Sequence, residues 1–136
     1  MWVIFVNMEL IESVAVSSVL NKDVKQFGKQ NMFDESDETC WNSDQGSPQW
    51  VKVKLREETD VKFFTIQFQG GFTAKDLVFK TELNGNSEEM CFYPEDTNSV
   101  QKFIIKQPTK LRSMLFKFHS STDFFGRIII YKLGWS

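Results

Sequence analysis

The sequence predicts an all-β protein, built as an antiparallel two-sheet sandwich of about eight short strands. Three observations carry that prediction. Apolar and polar residues alternate with period two in short runs, as in Phe64, Ile66 and Phe68 against Thr65, Gln67 and Gln69. Phe occurs 14 times and aromatic residues make up 15% of the chain, a composition that favours strands when it falls in such runs. No amphipathic helical period separates the runs, so the alternating strand and helix order of a parallel α/β fold is not expected.

The first strand is expected at Ser13 to Leu20, where small and branched residues lead to the turn-forming cluster Asn21, Lys22 and Asp23. Residues 24 to 33 hold Gly28 and no sustained helical period, which predicts a loop with a short helical turn, anchored by Phe27 and Phe33. An acidic loop follows from Asp34 to Trp41. It crosses a turn at Gly46, Ser47 and Pro48 and enters a strand that places Val51, Val53 and Leu55 on one face. The charged patch Arg56 to Asp60 marks a connection to the next strand, residues 61 to 69. Gly70 and Gly71 end that strand, and residues 74 to 83 supply another. Asn84, Gly85 and Asn86 then turn the chain toward a short strand, Met90 to Tyr93, stopped by Pro94. Strands at Val100 to Lys106 and Arg112 to His119 follow. The last, Gly126 to Leu133, is so apolar through Ile128, Ile129 and Ile130 that a central place, covered on both faces, is expected. One sandwich domain over residues 13 to 136 results, with residues 1 to 12 as an N-terminal extension or edge segment.

At 136 residues, with 41% hydrophobic and 25% charged, the chain suits one domain with its own core. Its net charge is −2 and its basic residues are spread, so the clustered cationic footprint of a nucleic-acid binder is missing and no direct contact with DNA or RNA is expected. Cys40 and Cys91 neither bracket the domain nor sit at metal-ligand spacing, which predicts free thiols. The run Trp2 to Val6 is far shorter than the roughly 18 residues of a membrane span and follows no basic residue, so neither a membrane helix nor a signal peptide is expected. Met8 offers an alternative start, which would leave residues 1 to 7 as an extension. The catalytic inventory is thin. His119 is the single imidazole, no Ser or Cys stands in a nucleophile motif, and Glu88, Glu89, Glu95 and Asp96 flank turns as a solvated acidic edge would. No phosphate loop, dinucleotide fingerprint or zinc spacing is present, and no enzyme is expected.

The blocks SVAVSSVLNKD, DESDETCWNSD, PQWVKVKL and FFGRIIIYKL occur in that order and resemble the discoidin or coagulation-factor type C module. That module is a jelly-roll sandwich of the galactose-binding domain-like fold, and the resemblance covers the chain from Ser13 onward. More narrowly, QFGKQNMFD, ETCWNSDQGSPQW, IQFQGG, FYPEDTNSVQ and TDFFGRIIIY resemble the family of proteins associated with the orphan nuclear receptor called testicular receptor four. The resemblance implies a nuclear or nucleocytoplasmic interaction protein that binds the orphan nuclear receptor, keeps it from its DNA element and so represses transactivation. The alternative is a carbohydrate-binding, lectin-like module with a calcium site in a loop. A jelly roll binds through loops at one end of the sandwich, here residues 25 to 47, 69 to 74, 93 to 99 and 119 to 126.

Asp34, Asp37 and Thr39 lie within six positions, close enough for their oxygens to surround a hard cation. The resemblance implies calcium at this loop but also a Glu from the last strand, and Ile129 stands at that position here. The competing reading is a solvated loop whose Asp and Thr cap local amides. Trp41 is expected as a packing anchor rather than a ligand platform. Asn42, Ser43, Asp44 and Gln45 are candidate partner-binding residues, against an ordinary polar turn. Phe72 stands at a glycine-rich loop where it either anchors a partner or folds under. Of Phe124 and Phe125, one is expected to be exposed and one buried, which makes Phe124 a further candidate. Arg127 is expected to reach a carboxylate of the acidic loop, since the resemblance brings the first and last segments together.

Overall fold

Residues 6–136 are described by a computed structural model, residues 107 and 108 by their backbone alone. The expectations for residues 1 to 5 lie outside the described residues. The strands are β1 (Ile11–Val16), β2 (Trp41–Asn42), β3 (Gln49–Phe68), β4 (Ala74–Leu83), β5 (Asn86–Phe92), β6 (Val100–Ser121) and β7 (Ile129–Trp135), with a short helix α1 (Val24–Phe27) between the first two. All pairings are antiparallel. Among the described residues, no helix is long and apolar enough to cross a membrane.

Two long strands make the sandwich, because β3 and β6 each take part in both layers. In the first layer, residues 51 to 55 of β3 pair with β1 on one side, and residues 49 to 54 pair with the second half of β6 on the other; β4 and β5 extend the layer beyond β6. In the second, residues 63 to 67 of β3 pair with the first half of β6, and residues 64 to 68 pair with β7, which carries β2 at its far side. The expected connections at Arg56 to Asp60 and between Lys106 and Arg112 are therefore strand. The register shifts between Lys54 and Thr59, where β3 passes from one layer to the other while remaining paired with β6. Charge there marks an exposed bend rather than a break, since Arg56, Glu57, Glu58 and Asp60 face solvent. The two-residue strand β2, not expected, places Trp41 opposite Ile130.

At the N-terminal side, β1 begins at Ile11, which is buried and pairs with Leu55, so the paired structure starts two residues before the expected Ser13 boundary. It ends at Val16 rather than Leu20: the Ser17 amide still donates to the Trp50 carbonyl, but the Trp50 amide turns to the Ser17 hydroxyl, and the Ser17 and Ser18 hydroxyls donate to Gln49. The turn between β4 and β5 has Asn84 at φ 50° and Gly85 at φ 83°, the left-handed pair that suits a two-residue hairpin.

The core is aromatic at its centre. Phe64 is fully buried and its ring lies 4.7 Å from Phe79, 5.0 Å from Phe103, 5.2 Å from Phe116 and 5.3 Å from Phe92, measured between centroids. These rings come from both layers, so one side chain joins them. β7 is covered nearly throughout, with Ile129, Ile130, Leu133 and Trp135 buried, as its composition leads one to expect. Phe64→Ala should lower the free energy of unfolding by about 3–5 kcal/mol in a urea titration, the range for truncating a fully packed Phe. The exposed Ile104 (66%) is the control, and Ile104→Ala should change it by less than about 0.5 kcal/mol.

Candidate functional site

Four loops meet at one end of the sandwich and are tied into a single surface by hydrogen bonds. Ser43 and Ile128 exchange bonds: the Ser43 amide donates to the Ile128 carbonyl (2.9 Å) and the Ile128 amide to the Ser43 hydroxyl (2.8 Å). The Gly46 amide donates to the Phe125 carbonyl (2.8 Å). Thr122 and Thr73 join the next pair, at 2.8 and 3.0 Å. Finally, Asp96 accepts from the Gly71 amide (2.8 Å) and Asn98 from the Gly70 amide (2.7 Å). Loops 43–48, 122–128, 69–73 and 94–98 thus stand side by side.

Two of these loops are fixed by polar side chains, one by the buried Gln49 and one by the half-buried Asp123. Gln49, 4% exposed at the start of β3, donates to the carbonyls of Asp44 (3.1 Å) and Gly46 (2.9 Å) and accepts from the Ser18 hydroxyl (2.7 Å) and from Ser17. Ser18 in turn accepts the Asp44 amide, and its carbonyl takes the Trp41 indole N–H at 2.9 Å. Trp41 is fully buried against Phe118, in keeping with its expected role as an anchor. Asp123 holds the other loop: its Oδ2 accepts from the Arg127 amide (3.1 Å) and from Arg127 Nε (3.0 Å). Burial pushes the Asp123 carboxyl up, but these bonds and the guanidinium charge outweigh it and hold the group below its ordinary range. Gly126 at φ +88° is required where this loop meets the other, since a Cβ there would lie 2.7 Å from the Gly46 carbonyl oxygen.

The structure redistributes the expected partner-binding residues. Asn42 and Ser43 are buried, at 8% and 0%, and belong to the frame rather than the surface; the Asn42 side-chain oxygen has no hydrogen-bond partner among the described residues. Asp44 is half-buried and Gln45 exposed at the turn. Phe72 is half-buried beneath Arg127, whose guanidinium carbon lies 5.0 Å from the ring centroid. Both Phe124 (93%) and Phe125 (54%) face solvent, with their rings edge to face at 5.3 Å, where one of the two was expected to be buried. Short of a buried neighbour to turn inward against, the loop closed by Asp123 and Arg127 presents both.

The acidic loop lies elsewhere, along the flank of β7. Thr39 donates to Asp34 Oδ2 at 2.6 Å, so two members of the expected calcium set do meet. Asp37 is exposed and takes no part in the cluster. Among the described residues, no group of three or more His, Cys, Asp or Glu could hold a metal ion. The expected pairing of Arg127 with this loop is not made, because Arg127 pairs with Asp123 four residues earlier. Lys132 makes it instead, its ammonium 2.9 Å from Asp34 Oδ1. A lysine inside an otherwise apolar strand was the signal in the sequence for that contact. Cys40, beside this cluster, has its thiol pushed up by burial against a partly opposing charge from Lys132. Both cysteines are free thiols, as expected.

Strand order and layering together define a β-sandwich of the galactose-binding-like class. Residues 31–114 match the model of the NedA-like, galactose-binding domain family. The F5/8 type C domain of a Bacteroides fragilis protein superposes with a TM-score of 0.79 at 14% identity, covering 96% of this chain and 93% of that one. The family 32 carbohydrate-binding module of Clostridium perfringens NanJ, solved with galactose, superposes with a TM-score of 0.76 at 16% identity over 90% and 91%. Within the class, the chain belongs to the nuclear receptor 2C2-associated protein family. The Danio rerio member is 49% identical over 124 residues, 87% of this chain and 85% of that protein. The Homo sapiens member is 44% identical over 120 residues, 87% and 86% respectively.

Two measurements probe these supports. Gln49→Ala should cost about 1–3 kcal/mol in denaturant, since it removes the donor from two loop carbonyls and the acceptor from the Ser17 and Ser18 hydroxyls. Asp34 is pushed up by burial, yet the Thr39 hydroxyl and the Lys132 ammonium hold its carboxyl below the ordinary 3.8. Its stabilising contribution is therefore complete above that value and lost as pH falls through the lower folded value. Stability measured from pH 6 to pH 2 should decline less steeply for Asp34→Asn than for the native chain.

Proposed function

We propose that the chain is a non-enzymatic interaction module that binds an orphan nuclear receptor and represses it by blocking its engagement with DNA. The observation that carries this reading is the Phe124 and Phe125 pair, exposed on a loop fixed at both ends. An ordered, solvent-facing aromatic pair is suited to anchoring in a pocket of a protein partner, because its conformational entropy is largely lost before binding. Relatives named as nuclear receptor 2C2-associated proteins supply the class of partner. Repression then follows from occupancy in the nucleus, without contact between this chain and DNA, consistent with its net charge of −2.

A carbohydrate ligand is less well supported by the loop end. Asn42 and Ser43, which could bond sugar hydroxyls, are buried, and the Phe72 ring is covered by Arg127. Pull-down of purified receptor, together with a DNA-shift competition, tests the proposal. Phe124→Ser with Phe125→Ser should weaken receptor binding at least about tenfold, the scale of a hot-spot loss, and leave the melting temperature unchanged. Receptor that stays on its DNA element under saturating native protein would remove the repressor part.

A further inference from the structure

We propose that the Lys132 ammonium is the resident cation of the acidic loop, standing where a divalent ion would otherwise sit, so that the loop closes on β7 without metal. The donor set supports this. Lys132 Nζ is surrounded by three oxygens, the carbonyl of Asn31 at 3.1 Å, the carbonyl of Tyr131 at 2.9 Å and Asp34 Oδ1 at 2.9 Å. An ammonium has three N–H donors, and each has an acceptor here. The side chain is only 8% exposed, and a buried charge persists when its hydrogen bonds and counter-charge are complete. Carbonyl and carboxylate oxygens with a neighbouring hydroxyl form the coordination set of a hard cation, yet the positive charge at their centre is covalently part of β7.

Calcium does not fit beside it. The remaining Asp34 oxygen is taken by the Thr39 hydroxyl at 2.6 Å, Asp37 is turned to solvent, and an ion sharing this cage would face an ammonium at close range. The arrangement also secures neighbouring structure. Asn31, whose backbone carbonyl accepts from Lys132, donates through its side-chain amide to the carbonyls of Gln26 (2.8 Å) and Cys40 (2.9 Å), so the lysine ties α1, the acidic loop and β7 together.

The test uses the whole chain, with calcium chloride and EDTA as probes and the melting temperature and calorimetric heat as readouts. The native protein should melt at the same temperature in millimolar calcium and in EDTA and give no saturable heat. Lys132→Ala should melt several degrees lower in EDTA. Lys132→Asp, which adds a second carboxylate to the cage, should be destabilised in EDTA and regain stability in millimolar calcium. A reversible calcium-dependent shift in the native protein would overturn the proposal, and that measurement does not depend on either variant folding. So would a Lys132→Ala protein as stable as the native one, or a Lys132→Asp protein indifferent to calcium. Receptor binding enters none of these readouts.

Discussion

Contact between the two layers at Phe64 is the constraint on which the remaining structure depends. A sandwich whose sheets share two strands is held together covalently at its bends, but its faces must still be pressed into register. Phe64 does this by meeting Phe79 and Phe116 of one layer while Phe103 stacks beside it in the other at 5.0 Å. Aromatic rings suit the position because their area supplies the burial and their edge-to-face preference fixes the angle. Once the layers are fixed, the strand ends are fixed, and with them the spacing of the loops that join at one end.

Those loops are not held by hydrophobic contact. Gln49 and Asp123 each place a polar or charged group under one of them, as Lys132 does under the acidic loop on the flank of β7, and bond its backbone. A buried group of this kind costs desolvation, which its hydrogen bonds offset only if the geometry is kept. The loop is thereby confined to one conformation. Apolar packing alone would leave such segments adjustable, since its energy changes little with small rotations.

Period two made the strands legible from the residues alone, and the solid apolar run in β7 showed that it is buried, although β7 lies beside the short edge strand β2 rather than at the centre of the sheet. The bends were not legible. At Arg56 to Asp60 a charged stretch has the composition of a loop, yet it is a bulge within one strand, whose pairing with β6 resumes at Thr59 and whose charged side chains face outward at an exposed bend. β2 was missed because two residues carry no period, and its pairing is set by Ile129 and Ile130 on a strand far along the chain. The site was legible only in part. Asp34 and Thr39 could be placed together from their spacing, but the cation they face comes from a position 98 residues away. No local pattern reports such a contact. A charged residue in an apolar strand nevertheless signals that some partner must exist, since burial without one is too costly.

The exposed aromatic pair follows from the same logic of constraint. Left on a flexible loop, Phe124 and Phe125 would turn to the nearest apolar surface and hide from water; here they meet each other edge to face at 5.3 Å while both stay exposed. Asp123 fixes the loop by bonding the amide and side chain of Arg127, whose guanidinium lies over the Phe72 ring. Ser121 closes the base, donating to the Arg127 carbonyl at 2.7 Å and accepting the Asp123 amide at 2.9 Å. Keeping apolar area in water is unfavourable for the isolated protein, a cost that the proposed receptor contact would relieve. Occupancy of that kind needs a rigid surface, which the bonds beneath the loop end supply.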